Sequence, residues 1–274
     1  MTKIIIFSPN RYSLYTTTVT EMLIQRGVTV SSIYVRKLIN PSRVLSEYRR
    51  DGSRLLKKVW KKLFLRQAAY HNGNFENLIS FRKSNNISIS KLDEFQSKYS
   101  IPVIPCSNLN DTAVINGLRE IQPDLVVFTG GGLIRQDVLS NSGNGVLNCH
   151  MGLLPPYRGM DVVEWPILED HIDQIGITVH FMDQGLDTGD ILQTRQIPTI
   201  PSENISELRD RIEPIMCQTL VDSCINFLNG KIKRQPQEIL SGKQYFKMHP
   251  FLLNVVAEKL EAYQNNLNTI ILRD

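Results

Sequence analysis

The stretch IIIFSPNRYSLYTTTVTEMLIQRGVTVSSIYV, residues 4–35, decides the fold of this chain. It opens with an unbroken apolar run, Ile4 to Phe7, which is typical of a strand buried on both faces. Apolar residues between Val19 and Leu23 then follow helical spacing, and Val28 to Val35 forms a second strand-like run. Strand, helix and strand in this order are the unit of a parallel sheet, so the sequence predicts an α/β fold with a Rossmann-like, mostly parallel sheet.

The same alternation resumes further along the chain. Predicted elements lie at 101–104, 111–121, 125–128, 146–148 and 175–182. In open α/β sheets the functional site lies beyond the carboxyl ends of the strands. The residues to inspect are therefore those that follow the strands, at 8–10, 129–133, 148–150 and 183–187.

The chain divides into a predicted catalytic core, 1–200, and a C-terminal helical extension, 201–274. The core contains a basic helical insertion at about 36–100, and the extension has helical patterns at 206–228 and 250–264. The net charge of +4 arises partly from a basic run between Arg49 and Arg66. Such a run indicates a solvated helix face, with contact to an anionic nucleic acid or nucleotide phosphate as the alternative. Trp60 and Phe64 of the insertion are interpreted as packing groups.

Composition is ordinary for a globular protein, with 42% apolar and 21% charged residues among 274. The first apolar run is too short for a signal peptide, and no window reaches the length of a membrane span, so the sequence predicts a cytoplasmic protein without a membrane partner. None of the four cysteines forms a Cys-x-x-Cys pair, so neither a zinc site nor a disulfide framework is indicated.

Three consecutive glycines, Gly130 to Gly132, follow the strand that ends at Phe128. They lack the Gly-x-Gly-x-x-Gly spacing of a dinucleotide loop, and no Gly-Lys-Ser/Thr follows them. The simpler interpretation is a backbone that a flat or bulky group approaches closely.

Asn148 and His150 flank Cys149 where a strand ends. Side chains alternate along a strand, so the amide and the imidazole point the same way. An amide and an imidazole aimed into one cleft can stabilise an oxyanion. The alternative is a buried, hydrogen-bonded histidine with a structural role.

Three carboxylates, Asp183, Asp187 and Asp190, lie in a glycine-punctuated loop. Their spacing does not match the twelve-residue EF-hand loop, and no glutamate closes the loop. A calcium-binding loop is one interpretation of such a cluster, and a loop that presents one carboxylate to the Asn–His pair is the other. The pattern itself does not choose among the three acids.

Taken together, Asn-x-His, a Leu-Pro loop with Arg-Gly, and His-x-x-x-x-x-x-Asp-x-Gly resemble the N10-formyltetrahydrofolate-dependent formyltransferases. The resemblance is specific from about Asp124 to Leu192, and it implies the formyltransferase fold. It also implies a catalytic trio of Asn148, His150 and Asp187, with His180 ordering the loop. The implied folate pocket consists of Gly132, Leu133, Ile134, Phe181, Met182, Asp183, Gln184 and Asp187. The formyl donor, N10-formyltetrahydrofolate, is then a co-substrate, and no metal is required.

Within that family, the sequence favours an enzyme acting on a nucleotide-linked amino sugar. The first expectation is a UDP-linked 4-amino-4,6-dideoxy sugar for a surface glycan, of the pseudaminic acid type, and the second is a dTDP-linked 4-amino sugar. Predicted substrate contacts are Asn10, Arg11, Tyr157, Arg158, Asp161 and Trp165, although Trp165 also fits a core position and Arg158 a loop anchor. A homodimer is possible, and no nucleic-acid partner is expected.

Three alternatives to the sugar enzyme fit the sequence less well. A methionyl-tRNA formyltransferase needs a C-terminal barrel domain, whereas the residues after Pro201 look helical. A glycinamide ribonucleotide formyltransferase has a glycine-rich turn after its first strand, where this chain has residues 8–11 without glycine. A regulatory, folate-binding relative would have a broken trio, and the trio is intact here.

Overall fold

A computed structural model describes residues 2–37 and 75–271 of the chain. The strands are β1 (Lys3–Ser8), β2 (Thr29–Arg36), β3 (Val103–Cys106), β4 (Leu125–Phe128), β5 (Val146–His150), β6 (Tyr157–Gly159), β7 (Gly176–Phe181), β8 (Ile191–Gln196) and β9 (Lys243–Tyr245). The helices are α1 (Leu14–Gln25), α2 (Glu76–Ser84), α3 (Asp93–Tyr99), α4 (Thr112–Ile121), α5 (Gln136–Leu139), α6 (Glu164–Leu168), α7 (Ile205–Leu228) and α8 (Pro250–Ile271).

Seven strands form the main sheet in the order β3-β2-β1-β4-β5-β7-β8. The pairs among β3, β2, β1, β4 and β5 are parallel, whereas β7 and β8 are antiparallel to their neighbours. The predicted α/β class with a mostly parallel sheet is therefore confirmed. β6 and β9 form a separate, two-stranded parallel sheet.

The central strand β1 is buried on both faces, as its apolar run predicts. Ile4 and Ile6 belong to one hydrophobic cluster, which packs against α1 and α7. Ile5 and Phe7 belong to a second cluster on the opposite face, with side chains of α4 and α5. Two helical layers thus enclose the sheet, and the strand ends are left open at its edges.

The predicted boundary at residue 200 does not separate two cores. α7 contributes buried side chains, including Leu208, Leu220 and Cys224, to the same cluster as the sheet. It begins with a capping box, in which Asn204 accepts from the Glu207 N–H and Glu207 accepts from the Asn204 N–H. Among the described residues, this part of the predicted extension is a layer of the core.

The predicted insertion at 36–100 is described only in part. The end of β2 and the helices α2 and α3 lie within it. The basic run between Arg49 and Arg66, together with Trp60 and Phe64, lies outside the described residues.

Within the described ranges, no helix has both the length and the apolar character needed to cross a membrane.

Candidate active site

Two polar side chains lie at the carboxyl end of β5. Asn148 and His150 share one face of the strand, while Cys149 between them is buried in the core on the other face. β5 is paired with β4 along one edge and with β7 along the other, so its position is fixed from both sides. The alternation expected from the sequence holds at this strand end.

The amide of Asn148 is oriented by His180, its partner across the pair of β5 and β7. His180 Nδ1 donates to the Phe181 carbonyl oxygen at 2.9 Å, so Nε2 is an acceptor. Asn148 Nδ2 donates to that Nε2 at 3.2 Å. Burial lowers the pKa of His180 to about 4, and His150 acts in the same direction, so the ring is neutral near pH 7. An amide nitrogen has two N–H groups, and the second remains for an acceptor in the cleft.

His150 is held by a main-chain carbonyl of the loop that follows β5. Its Nε2 donates to the Tyr157 carbonyl oxygen at 3.0 Å, and the residue is 8% exposed. The other ring nitrogen, Nδ1, faces Asp187 Oδ2 at 3.7 Å. Nδ1 is therefore the ring atom that can gain or lose a proton beside a carboxylate.

The Asp187 carboxylate lies between the two imidazoles. Its Oδ2 accepts from the Gly159 N–H at 2.9 Å, and its Oδ1 lies 3.7 Å from His180 Nε2. The backbone at Asp187 has a φ of 54°, in the left-handed region that few residues other than glycine adopt. Gln237 Nε2 donates to the main-chain oxygen of Asp187 at 3.1 Å and helps to hold this conformation. Strained residues held by their surroundings cluster at functional sites.

The other two acids of this loop have structural contacts. Both carboxylate oxygens of Asp183 accept from Thr188 Oγ1, at 2.7 and 2.8 Å, and Oδ1 also accepts from the Gly185 N–H. Asp190 accepts through its main-chain oxygen from the Phe181 N–H at 2.8 Å. The carboxylate that faces the two histidines is that of Asp187.

The three glycines that follow β4 form an open loop at the same edge of the sheet. Their φ angles are 121°, 133° and 106°, so each adopts a backbone that a larger residue would strain to reach. A Cβ on Gly131 would lie 2.6 Å from Leu109 Cδ1. Arg36, at the end of β2, donates from NH1 to the Gly131 carbonyl oxygen at 2.6 Å and fixes the loop.

The predicted folate residues next to this loop differ in exposure. Leu133 is 71% exposed, and its carbonyl oxygen accepts from Asn110 Nδ2 at 2.8 Å. Ile134 is buried in the core, so its side chain is not available to a ligand. Gly132 and Leu133 therefore form the outward part of the predicted pocket wall.

The second predicted folate segment follows β7. The Phe181 side chain is buried between Phe227 and the Arg234 guanidinium. Its backbone N–H donates to the Asp190 carbonyl oxygen, and its carbonyl oxygen accepts from His180 Nδ1. The Met182 N–H is already bonded to the Val146 carbonyl oxygen, at 2.7 Å.

The remaining predicted folate side chains are engaged within the protein. Asp183 closes its own turn, as described above, and Gln184 Nε2 donates to Gln136 Oε1 at 2.6 Å. The Asp183 and Gln184 side chains are thus engaged by the protein itself, and the folate contacts of this segment stay a prediction.

Two aromatic residues predicted to line a sugar pocket are packing residues instead. Tyr157 is 2% exposed, its ring stacks on Tyr245, and its hydroxyl lies 2.7 Å from His171 Nδ1. Trp165 packs on Tyr245 and donates from Nε1 to the Phe246 carbonyl oxygen at 3.0 Å. Trp165 thus fits the alternative interpretation of a core position.

Two polar residues predicted as sugar contacts also stabilise the loop after β5. Arg158 is 7% exposed, and its Nε donates to the Pro155 carbonyl oxygen at 3.4 Å, which matches the alternative of a loop anchor. Asp161 Oδ2 accepts from the Met248 N–H at 2.8 Å, and its Oδ1 lies 3.7 Å from Arg209 NH2. Both carboxylate oxygens of Asp161 thus face groups of the protein itself.

The predicted contacts after β1 lie in an exposed turn. Asn10 Oδ1 accepts from the Tyr12 N–H at 2.8 Å, and Arg11 Nε lies 3.3 Å from Asp93 Oδ2. The first contact is an Asx turn, in which a side chain takes a main-chain N–H.

Sequence reasoning missed several groups that complete the site. The main-chain oxygen of Tyr157 and the N–H of Gly159 hold the His150 and Asp187 side chains, and the sequence analysis assigned neither group to the site. Two side chains from distant parts of the chain bind loops of the site: Gln237 donates to the main-chain oxygen of Asp187, and Arg36 donates to that of Gly131. Nothing in a single sequence singles out such partners, because their role depends on chain packing.

Across the described ranges, no group of three or more His, Cys, Asp or Glu side chains could hold a metal ion.

Comparison with known proteins relates this site to one family. The family model described as "Formyl transferase" matches residues 79–223, which include the whole trio. Methionyl-tRNA formyltransferase of Syntrophus aciditrophicus (strain SB) is 34% identical over 143 residues, 52% of this chain and 46% of the relative. The enzyme of that name from Geobacter sulfurreducens is 33% identical over 142 residues, 52% of this chain and 44% of the relative. The chain therefore spans about half the length of the curated relatives it matches.

Solved structures share the fold at low identity. The N-formyltransferase from Helicobacter canadensis, in complex with folinic acid and dTDP-3-aminofucose, aligns with a TM-score of 0.57 at 14% identity. That alignment covers 93% of this chain and 79% of the other. Phosphoribosylglycinamide formyltransferase from Streptococcus pneumoniae TIGR4 aligns with a TM-score of 0.53 at 16% identity, over 83% of this chain and 99% of the other.

Proposed function

This chain belongs to the formyl transferase family, and we propose that it transfers a formyl group from N10-formyltetrahydrofolate to the amino group of a nucleotide-linked amino sugar. One observation carries the proposal. Asn148, His150 and Asp187 lie together at the carboxyl edge of the sheet: Asp187 lies 3.7 Å from His150 and from His180, and hydrogen bonds orient the amide and the imidazole.

The first requirement of formyl transfer is stabilisation of negative charge on the formyl oxygen. When an amine attacks the formyl carbon, the second N–H of Asn148 can donate to that oxygen, because His180 holds the amide in place through the first. One preorganised donor of this kind contributes roughly 3 kcal/mol to the transition state.

The second requirement is movement of a proton away from the attacking amine. His150 Nδ1 and the Asp187 carboxylate face each other at 3.7 Å, and both border the cleft. A carboxylate beside an imidazole stabilises the protonated ring, so the pair can accept a proton from the amine and release it to the folate nitrogen.

The formyl donor supplies the activated one-carbon unit, and the residues at this edge fit its flat ring system. Gly131 and Gly132 present backbone without side chains, and the exposed Leu133 adds an apolar surface. The loop after β7 adds main-chain groups from Met182 to Gln184, which suit the hydrogen-bonding edge of a pterin. We therefore assign the folate pocket to these two loops.

Features near the cleft support a nucleotide-linked acceptor. Met160 and Phe246 are 54% and 69% exposed, and both adjoin the paired strands β6 and β9 that border the site. Exposed apolar side chains of this kind suit the face of a nucleobase. Of the six substrate contacts predicted from the sequence, Asn10 and Arg11 remain proposals, as residues that would bind the phosphate or sugar groups of the acceptor.

The curated relatives support a second candidate, methionyl-tRNA as the acceptor, because the sequence matches at 33–34% identity are methionyl-tRNA formyltransferases. The two candidates share the formyl donor and the trio. They differ in the acceptor, so the acceptor is what the experiment must vary.

The test is tetrahydrofolate release from purified protein incubated with 10-formyltetrahydrofolate and one acceptor at a time. The panel contains UDP-linked and dTDP-linked 4-amino-4,6-dideoxy sugars, glycinamide ribonucleotide and methionyl-tRNA. We expect turnover with a nucleotide-linked amino sugar, the UDP form first. Turnover with methionyl-tRNA or glycinamide ribonucleotide, and none with any sugar, would overturn the proposed acceptor.

A further inference from the structure

The short strand β6 binds the active site through one of its edges. The Tyr157 carbonyl oxygen accepts from His150 Nε2 at 3.0 Å, and the Gly159 N–H donates to Asp187 Oδ2 at 2.9 Å. The first bond fixes which nitrogen of His150 carries a proton, and the second fixes the carboxylate. The backbone of β6 thus sets the geometry of two members of the trio.

The opposite edge of β6 is paired with β9, a segment far along the chain. Residues Tyr157 to Gly159 align in parallel with Lys243 to Tyr245. The Lys243 N–H donates to the Pro156 carbonyl oxygen, and the Met160 N–H donates to the Tyr245 carbonyl oxygen, both at 3.1 Å. In the described parts of the chain β6 has no other strand partner, and a three-residue strand is not stable by itself.

Tyr245 anchors β9 in this pairing. Its ring is 7% exposed, stacks on Tyr157 at 5.3 Å and packs at a tilt against Trp165 at 5.0 Å between centroids. Its hydroxyl donates to Glu169 Oε2 at 2.7 Å. Burial and the adjacent Glu169 carboxylate raise the pKa of Tyr245, so the hydroxyl keeps its proton and stays a donor.

Gly159 is the point at which β6 and β9 lie closest. A Cβ at Gly159 would collide with the Tyr245 carbonyl oxygen, and its φ of 103° is one that larger residues rarely adopt. The same Gly159 N–H binds the Asp187 carboxylate on the other edge. A displacement of β9 is therefore transmitted directly to the peptide that holds Asp187.

We propose that Tyr245 is a positioning residue, which holds β6 against the cleft and thereby fixes the tautomer of His150 and the orientation of Asp187. It does not touch the reacting atoms. Its role in catalysis rests on the proposed formyl transfer, whereas its effect on the His150 ring does not.

The direct test is nitrogen NMR of the imidazole of His150, identified by loss of its signals in His150→Gln. In the wild type we expect the tautomer with the proton on Nε2. In Tyr245→Ala we expect a mixture of both tautomers, and in Tyr245→Phe, which keeps the stacked ring, recovery of the wild-type signals. Phe251→Ala, which removes an exposed ring on α8, serves as the control.

Kinetics with the active acceptor give the second measurement. Tyr245→Ala should lower kcat roughly 100-fold, since a misplacement of about 1 Å has that effect on catalysis. KM for the formyl donor should stay near the wild-type value, because Tyr245 lies outside the folate loops. Tyr245→Phe should restore most of kcat.

Lys243→Pro covers the case in which Tyr245→Ala does not fold. It removes the N–H that binds the Pro156 carbonyl oxygen and leaves the Tyr245 ring in place, although it also removes the 73% exposed Lys243 ammonium, which lies 5.5 Å from the centroid of that ring. Like Tyr245→Ala, the Lys243→Pro variant should contain a mixture of both tautomers of His150. A folded Tyr245→Ala or Lys243→Pro variant with a wild-type tautomer would overturn the proposal. A shifted tautomer in a protein whose wild type transfers no formyl group would refute the proposed function and leave the positioning role intact.

Discussion

At the residue scale, the site depends on two histidines with different protonation requirements. In the proposed mechanism His180 is neutral, since its Nε2 accepts from Asn148, whereas His150 would pass a proton through Nδ1 beside Asp187. His180 is 1% exposed, and burial lowers its pKa to about 4. The family resemblance implies that His180 orders the loop that carries Asp187; in the structure His180 binds the Phe181 carbonyl oxygen and the Asn148 amide.

Asp187 and Asp190 allow a matched comparison of two acids in one loop. Asp187→Asn removes the charge that faces both histidines, so we expect kcat to fall by roughly 10² to 10⁴. Asp190→Asn makes the same chemical change at a carboxylate outside the trio and should leave kcat within a few-fold of wild type. The measurement is kcat for both variants, with circular dichroism to confirm folding. Equal losses in the two variants would contradict the assignment of Asp187.

His180 makes a prediction about stability against pH. Its pKa is about 4 in the folded chain, below its ordinary value of 6.5, so between these values the unfolded chain binds more protons. The contribution of the neutral His180 to stability is therefore complete above pH 6.5 and is lost as the pH falls toward 4. The free energy of unfolding of the wild type should therefore fall by about 2 kcal/mol between pH 7 and pH 5 because of this histidine. The His180→Gln protein should not show this additional fall. Denaturant unfolding at both pH values tests this, and the same pH dependence in both proteins would contradict it.

At the element scale, the loop between β7 and β8 is fixed by close contact of main chain with main chain. A Cβ on Gly189 would collide with the Phe181 carbonyl oxygen, which lies under the turn that carries Asp187. The strands themselves follow from apolar patterns in the sequence. The turn does not, because its shape depends on which backbone atoms meet once the strands have paired.

Gly189→Ala should therefore reduce both stability and activity. We expect a loss of about 1–3 kcal/mol, typical of overpacking, and a lower kcat because the turn shifts Asp187. Gly230→Ala is the control, since Gly230 has a φ of 69° but no atom within 4 Å of an added Cβ. It should cost about 1–2 kcal/mol and leave kcat unchanged. A fully active Gly189→Ala protein would contradict this account of the loop.

The limits of sequence reading are clearest in the loop after β5. The order of polar residues suggested that Tyr157, Arg158, Asp161 and Trp165 face a substrate. In the structure these side chains contact Glu169, Pro155, Met248 and Tyr245, while the β6 backbone binds His150 and Asp187. The residue types in this loop do not show whether its side chains or its backbone face the site. That depends on the pairing of β6 with β9, about 85 residues further along the chain.

At the scale of the whole molecule, the main sheet and α7 form one cooperative core. Leu220 of α7 is fully buried in the cluster that contains Ile4 and Ile6 of β1. The alternation of strands and helices predicted the layered sheet correctly. It also suggested an appended extension from residue 201, because helical periodicity does not say which surface a helix covers.

Leu220→Ala tests whether α7 is a layer of the core. Removal of a buried leucine side chain should lower the free energy of unfolding by roughly 2–5 kcal/mol, with a single transition retained. Phe251→Ala, at a position that is 76% exposed, should change it by less than about 0.5 kcal/mol. Two separate transitions, with only the second shifted by Leu220→Ala, would show an independent C-terminal unit instead.

The central claim is that Asn148, His150 and Asp187 together perform formyl transfer. The most direct measurement follows an isotopically labelled formyl group from 10-formyltetrahydrofolate to a UDP-linked 4-amino-4,6-dideoxy sugar by mass spectrometry, in wild type and in His150→Ala. The wild type should give the labelled formamido sugar, and a folded His150→Ala protein should give almost none. Transfer by His150→Ala at the wild-type rate would contradict the account.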